Sequence, residues 1–398
     1  MISSIYSIFN NILHIEYFDK LYKFFLLYLL KKEVRKMRTK ILAGVVVLAA
    51  AVLLAGYFLS YSAPKQVEPE EPVVLNGAGA SFPYPLIDKW THEYKLIAPK
   101  VTINYQSIGS GGGIKAIADK TVDFAASDAP LTDDKFRELA GILHIPETMG
   151  AVAVVYNIPG AQSMMRLTGE ILSEIYLGKI TRWNDKKIVS LNPWAQSLDK
   201  EILVVRRSDG SGTTFIFTDY LSRVSSEWAN TVGKGTSVSW PVGVGAKGNE
   251  GVAGAVKQNQ FSIGYVELAY AIKENLSVAA IQNREGKFVE PTLDSIKAAA
   301  ASASPKLPKG DQSWADVSIV SPPGADSYPI ASFTYILVYK DQPNKAKGEA
   351  LAKFLWWVVH DGQKYSSDLA YAPLPSEVVK LNEQTLKLLN YNGEPFIK

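Results

Sequence analysis

Three short segments place glycine, serine and threonine where an apolar, strand-like run gives way to a helix-like one, and that junction is chemistry for an anion. The first, residues 77–83 (GAGASFP), lies between residues 73–75 and a segment with Leu86, Ile87, Trp90 and Tyr94 at helical spacing. Ser81 falls at or near a helix N-cap there, with Pro83 in the first turn, where a missing N–H costs nothing. The second, residues 107–113 (SIGSGGG), follows residues 101–105 and precedes Ile114, Ile117 and Ala118. Its glycines let backbone N–H groups approach a ligand closely, and Ser110 adds a hydroxyl. The third, residues 206–214 (RRSDGSGTT), follows residues 202–205 and leads into an apolar helix from Phe215, joining a guanidinium to hydroxyls and free N–H groups. Each helix start leaves N–H groups unpaired, and its dipole favours negative charge by roughly 0.3 to 1 kcal/mol. Three converging on one ion would make a strong oxyanion site. Such turns also cap helices in α/β proteins that bind nothing, so the residues alone leave the two readings evenly matched.

A fourth segment, residues 122–130 (VDFAASDAP), decides which anion. A carboxylate beside a dianion looks wrong, because like charges in a dry pocket repel. It makes sense if the ligand carries a proton: phosphate near neutral pH can donate one to an ionised Asp128, and sulfate has none to give. Asp128 facing the ligand would therefore reject sulfate. Asp128 as a turn residue ahead of Pro130 would do nothing of the kind, and the sequence admits both. Covalent chemistry on Ser110 or Ser211 has less behind it. Neither sits in a full G-x-S-x-G elbow and no histidine can be placed against either, so no enzyme activity is expected. His14, His92, His144 and His360 lack metal-ligand spacing, and the absence of cysteine excludes disulfides, thiolate metal sites and a lipidated cysteine anchor. No metal or cofactor is expected.

These segments need a scaffold. The 398 residues suffice for about two or three domains, and 47% hydrophobic residues is ordinary for a globular protein. The net charge is +3, and residues 1–40 are basic enough to leave the remainder slightly negative, which argues against nucleic acid as a partner. An uncharged apolar run, residues 41–59, is about as long as a membrane-spanning helix requires. Lys31, Lys32, Arg35, Lys36, Arg38 and Lys40 precede it, so residues 1–40 are expected in the cytoplasm and everything after Leu59 outside. A retained signal anchor is preferred to a cleaved signal peptide because the run exceeds a typical signal core; cleavage would leave the domain secreted or periplasmic. Met37 is an alternative start to Met1. Residues 60–72, which include SAPKQVEPEEP, read as an extended linker. Beyond it, β-like runs at 73–75, 101–105, 151–156, 202–205 and 336–339 alternate with helix-period segments such as 346–359. That pattern predicts an α/β fold.

The segments NGAGASFPYPL, YQSIGSGGGIKAI, TVDFAASDAPL, VVRRSDGSGTTFIFTDYL, WPVGVGAKGNEGVA, IGYVELAYA and DLAYAPLP, in this order, resemble the phosphate-specific periplasmic binding proteins of ABC transporters. The resemblance implies a two-lobed, type II periplasmic-binding-protein fold, each lobe a mostly parallel sheet flanked by helices, with the ligand cleft between lobes. We place the two crossings near residues 154–156 and 328–330, making lobe 1 residues 73–154 plus 329–398 and lobe 2 residues 155–328. The resemblance also implies phosphate contacts at Ser81, at Phe82 through its backbone N–H, at Ser110, and at Asp128 as acceptor of the phosphate proton. The remaining contacts fall on Arg207, Ser211, Gly212 and Thr213, with Asp209 orienting Arg207. Arg206 is expected on a surface or lobe face, and residues 245–251 (GAKGNEG) in a turn near the cleft without a direct ligand role. The implied function is extracytoplasmic capture of inorganic phosphate by a monomer, tethered through residues 41–59, that delivers it to ABC transporter permease subunits in the membrane. Another tetrahedral oxyanion is the alternative. At the N-terminus the chain departs from the family, whose members usually carry a cleaved signal or a lipidated cysteine.

Overall fold

The computed structural model describes Lys20, Lys23, residues 72–301 and residues 307–398. Contacts divide the chain into Met1–Val67 and Glu68–Lys398, and the elements below belong to the second unit. The expected membrane span at residues 41–59, its basic flank and residues 60–71 of the linker lie outside the described residues. Among the described residues no helix is long and apolar enough to cross a membrane.

Apolar runs become strands β1 (Val73–Gly79), β2 (Val101–Ser107), β3 (Phe124–Ser127), β4 (Ile142–Asn157), β5 (Leu203–Arg207), β6 (Val244–Ala246), β7 (Ser262–Glu267), β8 (Ser277–Val278) and β9 (Ala331–Tyr339). They hydrogen-bond in the order β2-β1-β3-β9-β4-β7-β5-β6, with β8 beside β4. Two parallel sets, β2-β1-β3 and β7-β5-β6, are joined by the antiparallel strands β9 and β4. β4 belongs to both halves: residues 142–151 pair with β9 and residues 152–157 with β7. Only residues 151–156 read as strand from sequence, because His144, Pro146 and Glu147 interrupt the apolar pattern. Every position of β4 except Asn157 is nevertheless buried.

Four of the helices matter most here: α1 (Tyr84–Ile97), α2 (Ser110–Ala118), α3 (Gly212–Val224) and α4 (Gly248–Gln258). On one half of the sheet, Tyr94 of α1 packs against Phe354 and Trp357 of helix Lys345–Val359, and Phe124 of β3 packs against Phe354. On the other, Phe217 of α3 stacks on Tyr265 of β7 with ring centroids 4.3 Å apart. Full burial of such a ring contributes roughly 1.5 to 3 kcal/mol, so these stacks fix the helices whose first turns meet over the sheet.

The glycines of α2 have a packing role that sequence did not assign. A Cβ on Gly113 would lie 2.5 Å from Gly79 Cα and 2.9 Å from the Ala78 carbonyl oxygen, so α2 rests backbone to backbone on β1. Alanine is the better helix former by about 1 kcal/mol, yet overpacking here costs about 1 to 3 kcal/mol. Gly113→Ala is therefore expected to lower the urea midpoint; an unchanged or raised midpoint would show that α2 can lift off β1 freely.

Candidate functional site

Four turns carry the chain from the carboxyl end of a strand into a helix: β1 to α1, β2 to α2, β5 to α3 and β6 to α4. That end is where open α/β sheets bind ligands. At the first turn Ser81 and Phe82 are buried. Pro83 is the N-cap of α1, so Ser81 lies two residues ahead of it and caps nothing. Its Oγ accepts instead from the Asn249 backbone N–H at 3.2 Å and side-chain amide at 2.9 Å. At the second turn Gly109 takes φ 84°, and a Cβ there would fall 2.5 Å from the Asp209 carboxylate and 2.6 Å from the Gly210 carbonyl. Only glycine meets both demands. The following residue, Ser110, accepts at Oγ from the N–H groups of Asp128 (3.2 Å) and Gly212 (3.0 Å).

The third turn holds the guanidinium. Arg207 Nε donates to Asp209 Oδ1 at 2.8 Å, and its Nη2 to Oδ2, making a forked pair. Nη1 reaches Thr213 Oγ1 at 3.4 Å. Arg207 N–H donates to Tyr265 OH at 3.2 Å, which ties the site to the aromatic stack beneath it. Ser211 caps α3, its Oγ accepting from Thr214 N–H at 3.0 Å, which leaves its proton free to donate elsewhere. From the fourth turn, Gly248 N–H donates to Asp209 at 3.1 Å and Asn249 Nδ2 to Thr213 Oγ1 at 3.1 Å. The two sides of the sheet are thus in contact: Gly111 N–H donates to Gly210 O at 2.9 Å, and Gly212 and Asn249 reach across to Ser110 and Ser81.

Burial sets the charges. Asp128 is buried, and its carboxyl is pushed up to about 7; Thr334 (3.0 Å to Oδ1), Arg207 and Ser110 pull in the opposite direction. Asp209 also feels burial, but its pairing with Arg207 and the Gly248 N–H holds it below the usual carboxylate range. Ser110 Oγ has both acceptor positions taken, and it lies 3.5 Å from Asp128 Oδ2, the acceptor left for its proton, at the limit of a bond. Behind these lie two further buried carboxyls: Glu147 raised to about 8 and Glu267 raised well above its ordinary value, both chiefly by burial.

The structure therefore brings Ser81, Ser110, Asp128, Arg207, Asp209, Ser211, Gly212 and Thr213 to one region. Phe82 joins them through its carbonyl, which accepts from Tyr371 OH at 2.6 Å. Arg206 is half-buried, its Nη1 turned to the Arg207 carbonyl at 3.2 Å. Sequence reasoning missed Asn249, Thr334, Tyr265, Tyr270 and Tyr371. Tyr270 OH donates to Ser81 O at 2.6 Å. Asn249 had a signal, a polar residue flanked by glycine just inside a helix, but it was read as part of a turn. His144 and His360 are engaged away from Ser110 and Ser211, with Leu131 N–H and with Trp356 and Glu383 respectively. Among the described residues no group of three or more His, Asp or Glu could hold a metal ion.

A family model described as a PBP superfamily domain matches residues 66–361. A phosphate-binding protein PstS of Xylella fastidiosa is 45% identical over 323 residues, covering 80% of this chain and 86% of that one. A PstS of Methanocaldococcus jannaschii is 38% identical over 348 residues, covering 82% and 89%. The chain belongs to the PstS family of the PBP superfamily. A human phosphate-binding apolipoprotein superposes with a TM-score of 0.63 at 21% identity, over 77% of this chain and 92% of that one. The periplasmic phosphate-binding protein PfluDING gives 0.61 at 20% identity, with the same coverage. These two share the α/β periplasmic-binding-protein fold that the sequence motifs implied.

The raised carboxyl has a measurable sign. Between the ordinary aspartate value and about pH 7, folded Asp128 retains a proton that the unfolded chain has lost, so stability falls as pH rises through that window. Asp128→Asn removes this contribution and is expected to make the ligand-free protein more stable than wild type at pH 8, by on the order of 1 to 3 kcal/mol, with little difference at pH 4. Glu147 and Glu267 act with the same sign, so the slope shrinks without vanishing. Urea unfolding at both pH values checks this.

Proposed function

We propose that the protein captures inorganic phosphate outside the cytoplasm and delivers it to the permease of an ABC importer. One observation carries the choice of ligand: Asp128, an acid buried among N–H groups from converging helix starts and facing one guanidinium. N–H groups, hydroxyls and Arg207 suit an oxyanion, and an acceptor among them suits an oxyanion that carries a proton. The relatives' name, phosphate-binding protein PstS, supports the same ligand.

In this reading Ser81, Phe82 N–H, Ser110 and Asp128 serve from one lobe, and Arg207, Ser211, Gly212 and Thr213 from the other, with Asp209 holding Arg207 in its fork. The lobes are residues 73–154 with 329–398, and residues 155–328, opening about the two crossings near residues 154–156, in β4, and 328–330, just ahead of β9. Phosphate stabilises the closed form by bridging donors of both lobes, and the permease recognises that form. No bond is made or broken. The apolar residues 41–59, with the basic residues before them, support a tether that holds a monomeric binding domain at the outer face of the membrane.

Calorimetric titration with phosphate and sulfate tests the reading. Tight phosphate binding and poor sulfate binding are expected; the reverse preference would assign the site to another oxyanion. Arg207→Ala should cost about 2 to 5 kcal/mol of phosphate affinity, since it removes the buried guanidinium that would meet the enclosed anion and leaves that charge beside an unpaired Asp209. Asp128→Asn should keep much of the phosphate affinity and lose discrimination against sulfate.

A further inference from the structure

The pairing of β9 with β4 carries one irregularity, and it lies directly behind the site. Thr334 faces Thr148 and Tyr335 faces Pro146, so Glu147 is the extra residue of a β-bulge. Pro146, which has no N–H to give to the ladder, accompanies it. Glu147 is buried; its Oε1 lies 3.2 Å from the Thr334 hydroxyl and its Oε2 has no partner. The same hydroxyl lies 3.0 Å from Asp128 Oδ1.

A hydroxyl has one proton to donate. Thr334 can satisfy one of the two carboxyls, and the other contact needs a proton on the carboxyl itself. Two arrangements fit: Glu147 donates to Thr334, which donates to Asp128, or the whole chain runs backwards. The surrounding charges choose between them. Arg207 attracts the charged form of Asp128, and Ser110 faces its other oxygen. Among the described residues no cation acts on Glu147; Asp128 and Tyr105 are the titratable groups that face it, while Tyr105, Glu267, Tyr335 and Tyr371 face Asp128. The proton therefore rests on Glu147.

We propose that Glu147, held neutral on its bulge, is a positioning residue that acts through Thr334 to keep Asp128 the proton acceptor of the site. This rests on the phosphate reading and adds to it a residue that touches no ligand. Burial, reinforced by the charge of Asp128, raises Glu147 to about 8. When it ionises, its proton goes to solvent, two carboxylates contest the single Thr334 proton, and a second negative charge stands behind the bound anion. Above about pH 8 inorganic phosphate is almost wholly the monohydrogen dianion, so the ligand itself no longer changes.

Titration calorimetry with inorganic phosphate from pH 6.5 to 9.5, in pairs of buffers with different ionisation enthalpies, reads the effect. Wild-type Kd is expected to rise about tenfold per pH unit above the Glu147 titration, with a proton taken up on binding. Glu147→Gln still offers Thr334 a donor and does not titrate; it should flatten that rise by about tenfold per unit and abolish the uptake. Thr334 supplies a second test that leaves Glu147 in place. If the relay matters, Thr334→Ser keeps the wild-type pH profile and the isosteric Thr334→Val loses it; if packing alone matters, the order reverses. A Glu147→Gln profile and proton uptake equal to wild type, or that reversed order, overturns the proposal. No phosphate binding by wild type at any pH sinks the phosphate reading, and this inference with it.

Discussion

An α-helix begins with N–H groups that have no carbonyl to meet, and burying such a start is affordable only where something supplies acceptors. Here the starts of α2, α3 and α4 are buried beside one another at Ser110, at residues 212–214 and at Gly248 and Asn249, so the local chemistry follows from a shortage of acceptors. Ser110 meets it by receiving two N–H groups, Ser211 by capping α3, and Asp209 by receiving Gly248 while holding Arg207. The aromatic stack of Phe217 on Tyr265 and the contact of α2 with β1 at Gly113 hold the helices in place against the repulsion of their aligned dipoles.

The same shortage explains why acids accumulate on a surface meant for an anion. A pocket of donors facing one guanidinium carries excess positive potential, and Asp128 reduces it at the cost of a carboxyl whose ionisation is resisted by burial. Glu147 and Glu267 stand one layer further back, where no cation among the described residues compensates them, and there burial favours the neutral form. Selectivity and stability are consequently in tension at Asp128, since the ionised state that would receive a ligand's proton is the state that folding resists.

Much of this was legible in sequence because the strand-to-helix turns declare themselves locally: an apolar run, then glycine with a hydroxyl, then helical spacing. The α/β alternation and the turn residues needed no long-range information. What stayed hidden came from far along the chain. Thr334, Tyr371 and Glu267 are ordinary residues in buried strands and loops, and only the sheet order brings them to Asp128, Phe82 and Tyr371 respectively. β4 was half-missed for a related reason. Its polar members, His144 and Glu147, and Pro146 break the apolar rhythm that marks a buried strand, yet all are buried because a bulge and neighbouring side chains accommodate them. The glycines around Ser110 read in sequence as room for a ligand's close approach; the structure shows closeness within the protein, Gly113 to β1 and Gly109 to the loop of Asp209.

The unbroken run of β4 through both halves of the sheet has a consequence for how the protein can be taken apart. Many two-part proteins are joined by loops that can be cut, permuted or exchanged between relatives, leaving each part to fold alone. A cut between these halves must instead sever a buried strand in mid-ladder, stripping β9 and β7 of a shared neighbour together. A shared buried strand makes each half part of the other's core, so neither half is expected to keep its structure once β4 is divided.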